Sequence, residues 1–249
     1  MAAIYPDLEG KTALITGGAG EIGAGVVREL ARQRARVAFI DIAVEPGRAL
    51  AQELERQGQS VRFEPCDLAD VPALQRTIAA VRSRLGPIQI LVNSAAGVPE
   101  RQATESLTEA DWNRLIAVNL KHQLFCSQAV MGDMKEARGG VIINLGSLAW
   151  MGGEQGSAVH GAAQAAVLGL TRSLAQELGA CGIRVAAVTP GWTRSERGAP
   201  APSEAQILER QCLKRLIAPI EIARFIVFLA SAEASACSGQ CYVVDGGYV

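Results

Sequence analysis

Aromatic residues are scarce in this chain: three Trp, three Tyr and five Phe among 249 residues, or 4%. A core in a protein of this length must therefore be aliphatic. Long apolar runs are missing too; none approaches the roughly 18 residues that a membrane-spanning helix needs. No charge of one sign dominates, since 24 Lys and Arg stand against 25 Asp and Glu, for a net charge of −1. That balance argues against a nucleic-acid or membrane-surface binder, which would carry a basic excess. The six cysteines (Cys66, Cys126, Cys181, Cys212, Cys237 and Cys241) form no CxxC pair, and neither Cys237 nor Cys241 has a His near it. No metal site is expected, and the thiols read as reduced, small apolar residues. The N-terminal stretch MAAIYPDLEGK carries Asp7 and Glu9 without the basic-then-apolar order of a signal peptide, so the expected location is cytoplasmic.

What is present is a hydrophobic fraction of 49% with only 20% charged residues, which excludes a disordered chain. Short β-branched runs at 12–16, 36–40, 61–64, 88–92, 141–145, 183–189 and 241–244 alternate with helical stretches at about 22–34, 45–57, 70–85, 108–135, 157–179 and 219–231. Several runs are apolar on both faces, as a sheet covered by helices on both sides requires. The alternation predicts one α/β domain over 1–249, a Rossmann-type, doubly wound sheet of seven mainly parallel strands. The stretch RGAPAPSEA begins at Arg197 and reads as a loop; about 197–210 is the expected substrate-loop region.

The first strand runs into Thr16-Gly17-Gly18-Ala19-Gly20-Glu21-Ile22-Gly23 and then directly into a helix. A glycine-rich turn in that place lets a pyrophosphate approach the backbone and lie on the helix N-terminus. The second strand ends in Asp41, whose carboxylate would accept hydrogen bonds from both hydroxyls of an adenosine ribose. Ile42 follows with no Arg beside it, which favours NAD over NADP. The alternative is that Asp41 caps the turn after its strand, and that Asp67 N-caps the helix that follows it.

These residues resemble the short-chain dehydrogenases/reductases over nearly the whole chain. TGGAGEIG is similar to the family's TGxxxGxG turn, which makes Gly17, Glu21 and Ile22 cofactor-binding positions. Asp67 in CDL resembles the family's adenine-ring Asp, and Asn93-Ser94-Ala95-Ala96 its NNAG segment. Pro190-Gly191 followed by Ser195 is similar to the loop that holds the nicotinamide carboxamide. Val244-Asp245-Gly246-Gly247 matches the family's C-terminal ending. Of the catalytic tetrad, Asn119 in VNL and Ser147 in NLGS keep the family's residues.

The resemblance fails at the other two tetrad positions. The family's Tyr stands thirteen residues after the Ser, with a Lys four further on; here those positions are His160 and Gln164. The remaining tyrosines, Tyr5, Tyr242 and Tyr248, lie at the chain's ends. Glu21 occupies the family's middle Gly, bringing a negative charge towards two phosphates, so NAD binding is expected to be weak or lost. Ala96 and Ala186 replace a Gly and an Asn of the family pattern.

Two views of His160 remain open: a proton-transfer group that needs no Lys at neutral pH, or a leftover polar residue. His122 reads as a solvated residue on an amphipathic helix, and Trp112, Trp150 and Trp192 as packing residues near the substrate cleft. The damaged pattern leads to the expectation of a non-catalytic subunit. It would stabilise an active paralogue in a heterotetrameric, NAD-dependent alcohol or hydroxyacyl-CoA dehydrogenase, through the helices at 108–135 and 157–179 and the C-terminal strand, as the family resemblance implies. The competing readings are an atypical NAD-dependent oxidoreductase using Ser147 and His160, and a sensor that binds a dinucleotide or acyl ligand.

Overall fold

The computed structural model describes residues 3–97, 102–153, 155–194 and 202–249. Seven parallel strands form one sheet in the order β3-β2-β1-β4-β5-β6-β7. They are β1 (Thr12–Thr16), β2 (Arg36–Asp41), β3 (Val61–Pro65), β4 (Ile88–Asn93), β5 (Gly140–Leu145), β6 (Ile183–Pro190) and β7 (Cys241–Val244). The helices between them are α1 (Glu21–Arg32), α2 (Val44–Arg56), α3 (Val71–Leu85), α4 (Glu109–Ile116), α5 (His122–Glu136), α6 (Ala149–Gly152), α7 (Ala158–Leu178), α8 (Glu204–Arg210) and α9 (Pro219–Ala230).

The two-residue period of the strands divides the core in two. Ala13, Ile15, Val37 and Phe39 point to one face and pack with Val26 and Leu30 of α1, Leu50 and Leu54 of α2, and Ile222 and Ile226 of α9. Leu14, Ala38, Ile40 and Leu91 point to the other face and pack with Ile78 of α3, Val130 and Met134 of α5, and Leu174 of α7. Strands buried on both sides are mostly apolar, as in the fully buried TALIT of β1, whose terminal Thr12 and Thr16 hydroxyls are hydrogen-bonded. Among the described residues, no helix is long and apolar enough to cross a membrane.

Helix starts follow local chemistry. The Asp70 side chain accepts from the Ala73 amide and opens α3. Asp67 is therefore not the cap that one sequence reading made of it; its Oδ1 accepts from the Ala69 amide, two residues on, in a tight turn. A reciprocal Thr108–Asp111 capping box opens α4. The sequence suggested one helix over 108–135, but Ala117–Lys121 form a π turn between α4 and α5. The Arg197 stretch is also revised: Ser203 and Gln206 cap each other and start α8, while residues 195–201 lie outside the described residues.

His122 differs most from expectation. It is fully buried rather than solvated, with Nε2 3.4 Å from Thr16 Oγ1. Burial pushes its pKa down to about 4, against a smaller upward pull from the Val118 backbone. The face it occupies, with Cys126, Val130 and Met134, is buried against the sheet.

Because β1 lies between β2 and β4, the connections leave it in opposite directions and open a crevice at the carboxyl ends of the strands.

Candidate active site

The crevice is a cleft of about 600 Å³. Its first wall is the turn after β1. Gly17 has φ +67°, and a Cβ there would lie 2.6 Å from Ala95 Cα. A Cβ on Gly18 would meet Phe39 Cβ at 2.5 Å, and one on Gly23 would meet the Gly17 carbonyl oxygen at 2.1 Å. Those three positions admit only glycine. Gly20 caps α1 in an extended conformation, so the helix begins at Glu21. Glu21 and Ile22 line the cleft from this first turn, where the helix dipole favours a carboxylate. The turn therefore closes with Glu21 in it, and the close approaches on which a dinucleotide cradle depends remain intact.

The second wall is the end of β2. Asp41 Oδ2 accepts from the Ala19 amide and Oδ1 from the Ala43 amide, both at 2.9 Å. Asp41 thus ties the turn, as one sequence reading had it, and also lines the cleft. Ile42 beside it is 71% exposed. Cys66, Asp67 and Leu68 continue this wall, and none of the described residues lining the cleft is Lys or Arg.

Asn93 is placed differently from the sequence expectation. Its side chain is fully buried away from the cleft and donates to Asn144 Oδ1 at 2.8 Å, while Asn144 Nδ2 donates to Thr171 Oγ1 at 3.0 Å. The cleft wall there is made by the next residues, Ser94, Ala95 and Ala96. The amides of Ser94 and Ala95 donate to Thr16 Oγ1 at 3.1 and 3.2 Å, which holds the end of β4 against β1.

The four tetrad positions come together, in two layers. Ser147 and His160 line the cleft. Asn119 and Gln164, 0% and 1% exposed, lie behind them. Asn119 Nδ2 donates to the carbonyls of Leu115 at 2.9 Å and Gly97 at 3.0 Å, a double contact that the π turn permits. Its Oδ1 accepts from Gln164 Nε2 at 3.3 Å. Ser147 Oγ accepts from the Ala149 amide at 3.3 Å. Among the described residues, no hydrogen bond joins Ser147 to His160, so a Ser–His nucleophile is not assembled.

His160 is 5% exposed. Burial pushes its pKa below the ordinary imidazole value, and the Gly97 carbonyl pulls weakly the other way. Its Nδ1 is buried without a partner.

The third wall contains Pro190, Gly191 and Thr193. A Cβ on Gly191 would lie 2.5 Å from Asp245 Cα, which explains why a glycine follows the proline. Asp245 in turn holds the C-terminal tail, accepting from the amides of Gly247, Tyr248 and Val249 at 2.8–3.0 Å. Ser195 lies outside the described residues. Val118, Leu145, Gly146 and Thr193 also line the cleft and carried no sequence signal of their own. A second cavity of about 440 Å³ is lined by Gln155, Trp192, Gln206, Glu209, Arg210 and Tyr248, among others. Trp150 and Trp192 bury their indole nitrogens, whereas Trp112 is exposed.

Comparison with known proteins matches this geometry to a family. The profile described as enoyl-(acyl carrier protein) reductase covers residues 17–249. A D-xylose 1-dehydrogenase of Caulobacter vibrioides is 43% identical, with 99% of each chain aligned. A D-threitol dehydrogenase of Mycolicibacterium smegmatis is 37% identical, over 97% of this chain and 94% of that one. A solved short-chain dehydrogenase/reductase of Serratia marcescens, a double variant, superposes with a TM-score of 0.90 at 33% identity, covering 97% of this chain and 99% of that one. The chain belongs to the short-chain dehydrogenase/reductase family, whose members normally bind NAD or NADP.

The comparisons correct the expectation of a non-catalytic stabilising subunit. Relatives aligned from end to end are named as dehydrogenases, and nothing in them marks this chain as a degenerate copy.

Proposed function

We propose that the protein is an NAD-dependent dehydrogenase that oxidises a hydroxyl of a small polyhydroxylated substrate, an aldose or a polyol. The observation that carries the cofactor reading is Asp41, anchored at both oxygens in a cleft wall without a Lys or Arg among its described residues. A fixed carboxylate accepts from two vicinal ribose hydroxyls and repels a 2′-phosphate. The three sterically required glycines suit a pyrophosphate resting on the N-terminus of α1. Asp67 and Leu68 provide a shelf for an adenine ring.

The substrate class is supported by the named activities of the Caulobacter and Mycolicibacterium relatives. It also suits the second cavity, which Gln155, Trp192 and Gln206 line among others. NAD, when bound, supplies the acceptor for a hydride. The chain's own part is to orient both molecules. Ser147, whose Oγ already accepts from the Ala149 amide, keeps its O–H to donate to the substrate oxygen. Pro190 and Gly191 close the wall beside it.

Calorimetric titration with NADH and NADPH tests the cofactor reading. The expected result is binding of NADH at least tenfold tighter than NADPH. Equal affinities, or no binding of either at millimolar concentration, would contradict it.

A further inference from the structure

Thr16 closes β1 with its side chain fully buried. Its hydroxyl oxygen accepts from the amides of Ser94 and Ala95 at 3.1 and 3.2 Å, which fills both lone pairs. The hydroxyl hydrogen must then go elsewhere. Among the described residues, the remaining contact of this hydroxyl is His122 Nε2 at 3.4 Å. A hydroxyl whose lone pairs are taken can only donate, so Nε2 accepts and the ring hydrogen sits on Nδ1. Nδ1 has no partner among the described residues in either tautomer, so the choice falls to Thr16. With its pKa pushed down to about 4 by burial, the ring is neutral at pH 7 and Nε2 is free to accept.

This contact lies one step behind the cleft, which Ser94 and Ala95 line and Thr16 and His122 do not. The wall also touches the glycine turn. A Cβ on Gly17, the residue after Thr16, would lie 2.6 Å from Ala95 Cα. One hydroxyl therefore sets the spacing between the turn after β1 and the end of β4, two sides of the dinucleotide site proposed above. Donation to Nε2 polarises the oxygen and strengthens the two bonds that it accepts. With an apolar side chain at position 122, the hydroxyl hydrogen would be buried without an acceptor. Any rotation that relieved it would compete with the amides of the wall.

We propose that His122 is a positioning residue for the dinucleotide site, acting through Thr16 on the Ser94–Ala95 wall. This rests on the cofactor reading above. His122 lines no part of the cleft and acts by fixing the direction of one hydrogen bond. The next residue of α5 has a matching role at another strand, since Gln123 Nε2 donates to the Leu145 carbonyl at 3.1 Å. The first turn of α5 thus holds two strand ends of the cleft, β1 through His122 and β5 through Gln123.

Calorimetric titration with NADH, below the melting temperature of each protein, tests this on the wild type and a set of variants. His122→Leu should weaken binding about three- to tenfold, the effect of one lost hydrogen bond. His122→Gln, whose amide oxygen can take the place of Nε2, should stay within about twofold of wild type. Thr16→Val should weaken binding at least as much as His122→Leu, and combining the two should weaken it no further. Thr171→Val, which removes the acceptor of Asn144 Nδ2, is the stability control. Its melting temperature should fall while NADH affinity stays within about twofold. Undiminished affinity in His122→Leu overturns the proposal and leaves the cofactor reading standing. So does a loss that Gln does not restore, that adds to Thr16→Val, or that Thr171→Val reproduces. If His122→Leu fails to fold, nitrogen-15 NMR of the wild type at pH 7 decides. The chain has two histidines, so comparison with His122→Gln assigns the ring, and Nε2 should be the unprotonated nitrogen. A hydrogen on Nε2 overturns the proposal. A wild type that binds neither NADH nor NADPH overturns the cofactor reading, and this role with it.

Discussion

Gln164 Nε2 donates to Asn119 Oδ1 across 3.3 Å, joining the middle of α7 to the π turn that interrupts the α4–α5 helix. Both side chains are buried, so each amide depends on the other. Gln164→Leu should leave the Asn119 oxygen without its donor at a cost of about 1–3 kcal/mol. For a chain of this size that corresponds to a fall of roughly 2–10 °C in melting temperature. Scanning calorimetry of the variant checks this; an unchanged melting temperature would show that the bond contributes nothing.

Asp41 sets cofactor choice through charge as much as through hydrogen bonds. Asp41→Ser combined with Ile42→Arg replaces the repelling carboxylate with a guanidinium beside an exposed position. Affinity for NADPH should rise and that for NADH should fall, together reversing a preference of about tenfold, which is ~1.4 kcal/mol for each decade. Fluorescence titration with both reduced dinucleotides measures it, and an unaltered ratio counts against Asp41 as the selector.

His122 gives the fold a pH dependence. Its folded pKa of about 4 lies below the ordinary 6.5 because burial penalises the charged ring. Below pH 6.5 the unfolded chain takes up a proton that the folded chain refuses until pH approaches 4. The contribution is therefore fully present above 6.5 and drains away as pH falls towards 4. Its size is of the order of 3 kcal/mol. His122→Gln should flatten the slope of stability against pH between 6.5 and 4 in urea denaturation; an identical slope in both proteins would remove His122 as the cause.

Much of this arrangement is readable from the residues, and the failures have physical causes. The strands stand out because a sheet covered on both faces is built of short, mostly apolar runs, as in β1 and β5. The glycine turn is legible because Gly17, Gly18 and Gly23 have no steric alternative. Asn93 misleads: a motif places it at the cofactor, but its amide is spent on Asn144 across the sheet. His122 misleads for the opposite reason, since helical periodicity cannot show that Thr16 waits beneath the helix. Glu21 looks like damage in one dimension, yet as the first residue of α1 it occupies a position that the dipole favours and a Cβ can enter. The short α8 begins in a segment dominated by Ala and Pro, and only the Ser203–Gln206 cap marks it.

Gly18 and Phe39 form a steric pair, since a Cβ at position 18 would lie 2.5 Å from Phe39 Cβ. Gly18→Ala should destabilise the fold by about 1–3 kcal/mol through overpacking. It should also weaken NADH binding, because the turn must shift to relieve the contact. Chemical denaturation together with NADH titration checks both effects; a variant of native stability and native affinity would mean that the turn has slack that the geometry does not show.

The most direct test of the account is turnover. Purified protein is incubated with NAD and, in turn, D-xylose, D-threitol and related sugars and polyols, and the near-ultraviolet absorbance of the reduced nicotinamide is followed. The account predicts substrate-dependent formation of NADH with at least one of them, slower with NADP. Tight NADH binding with no reduction of NAD by any of them would contradict it.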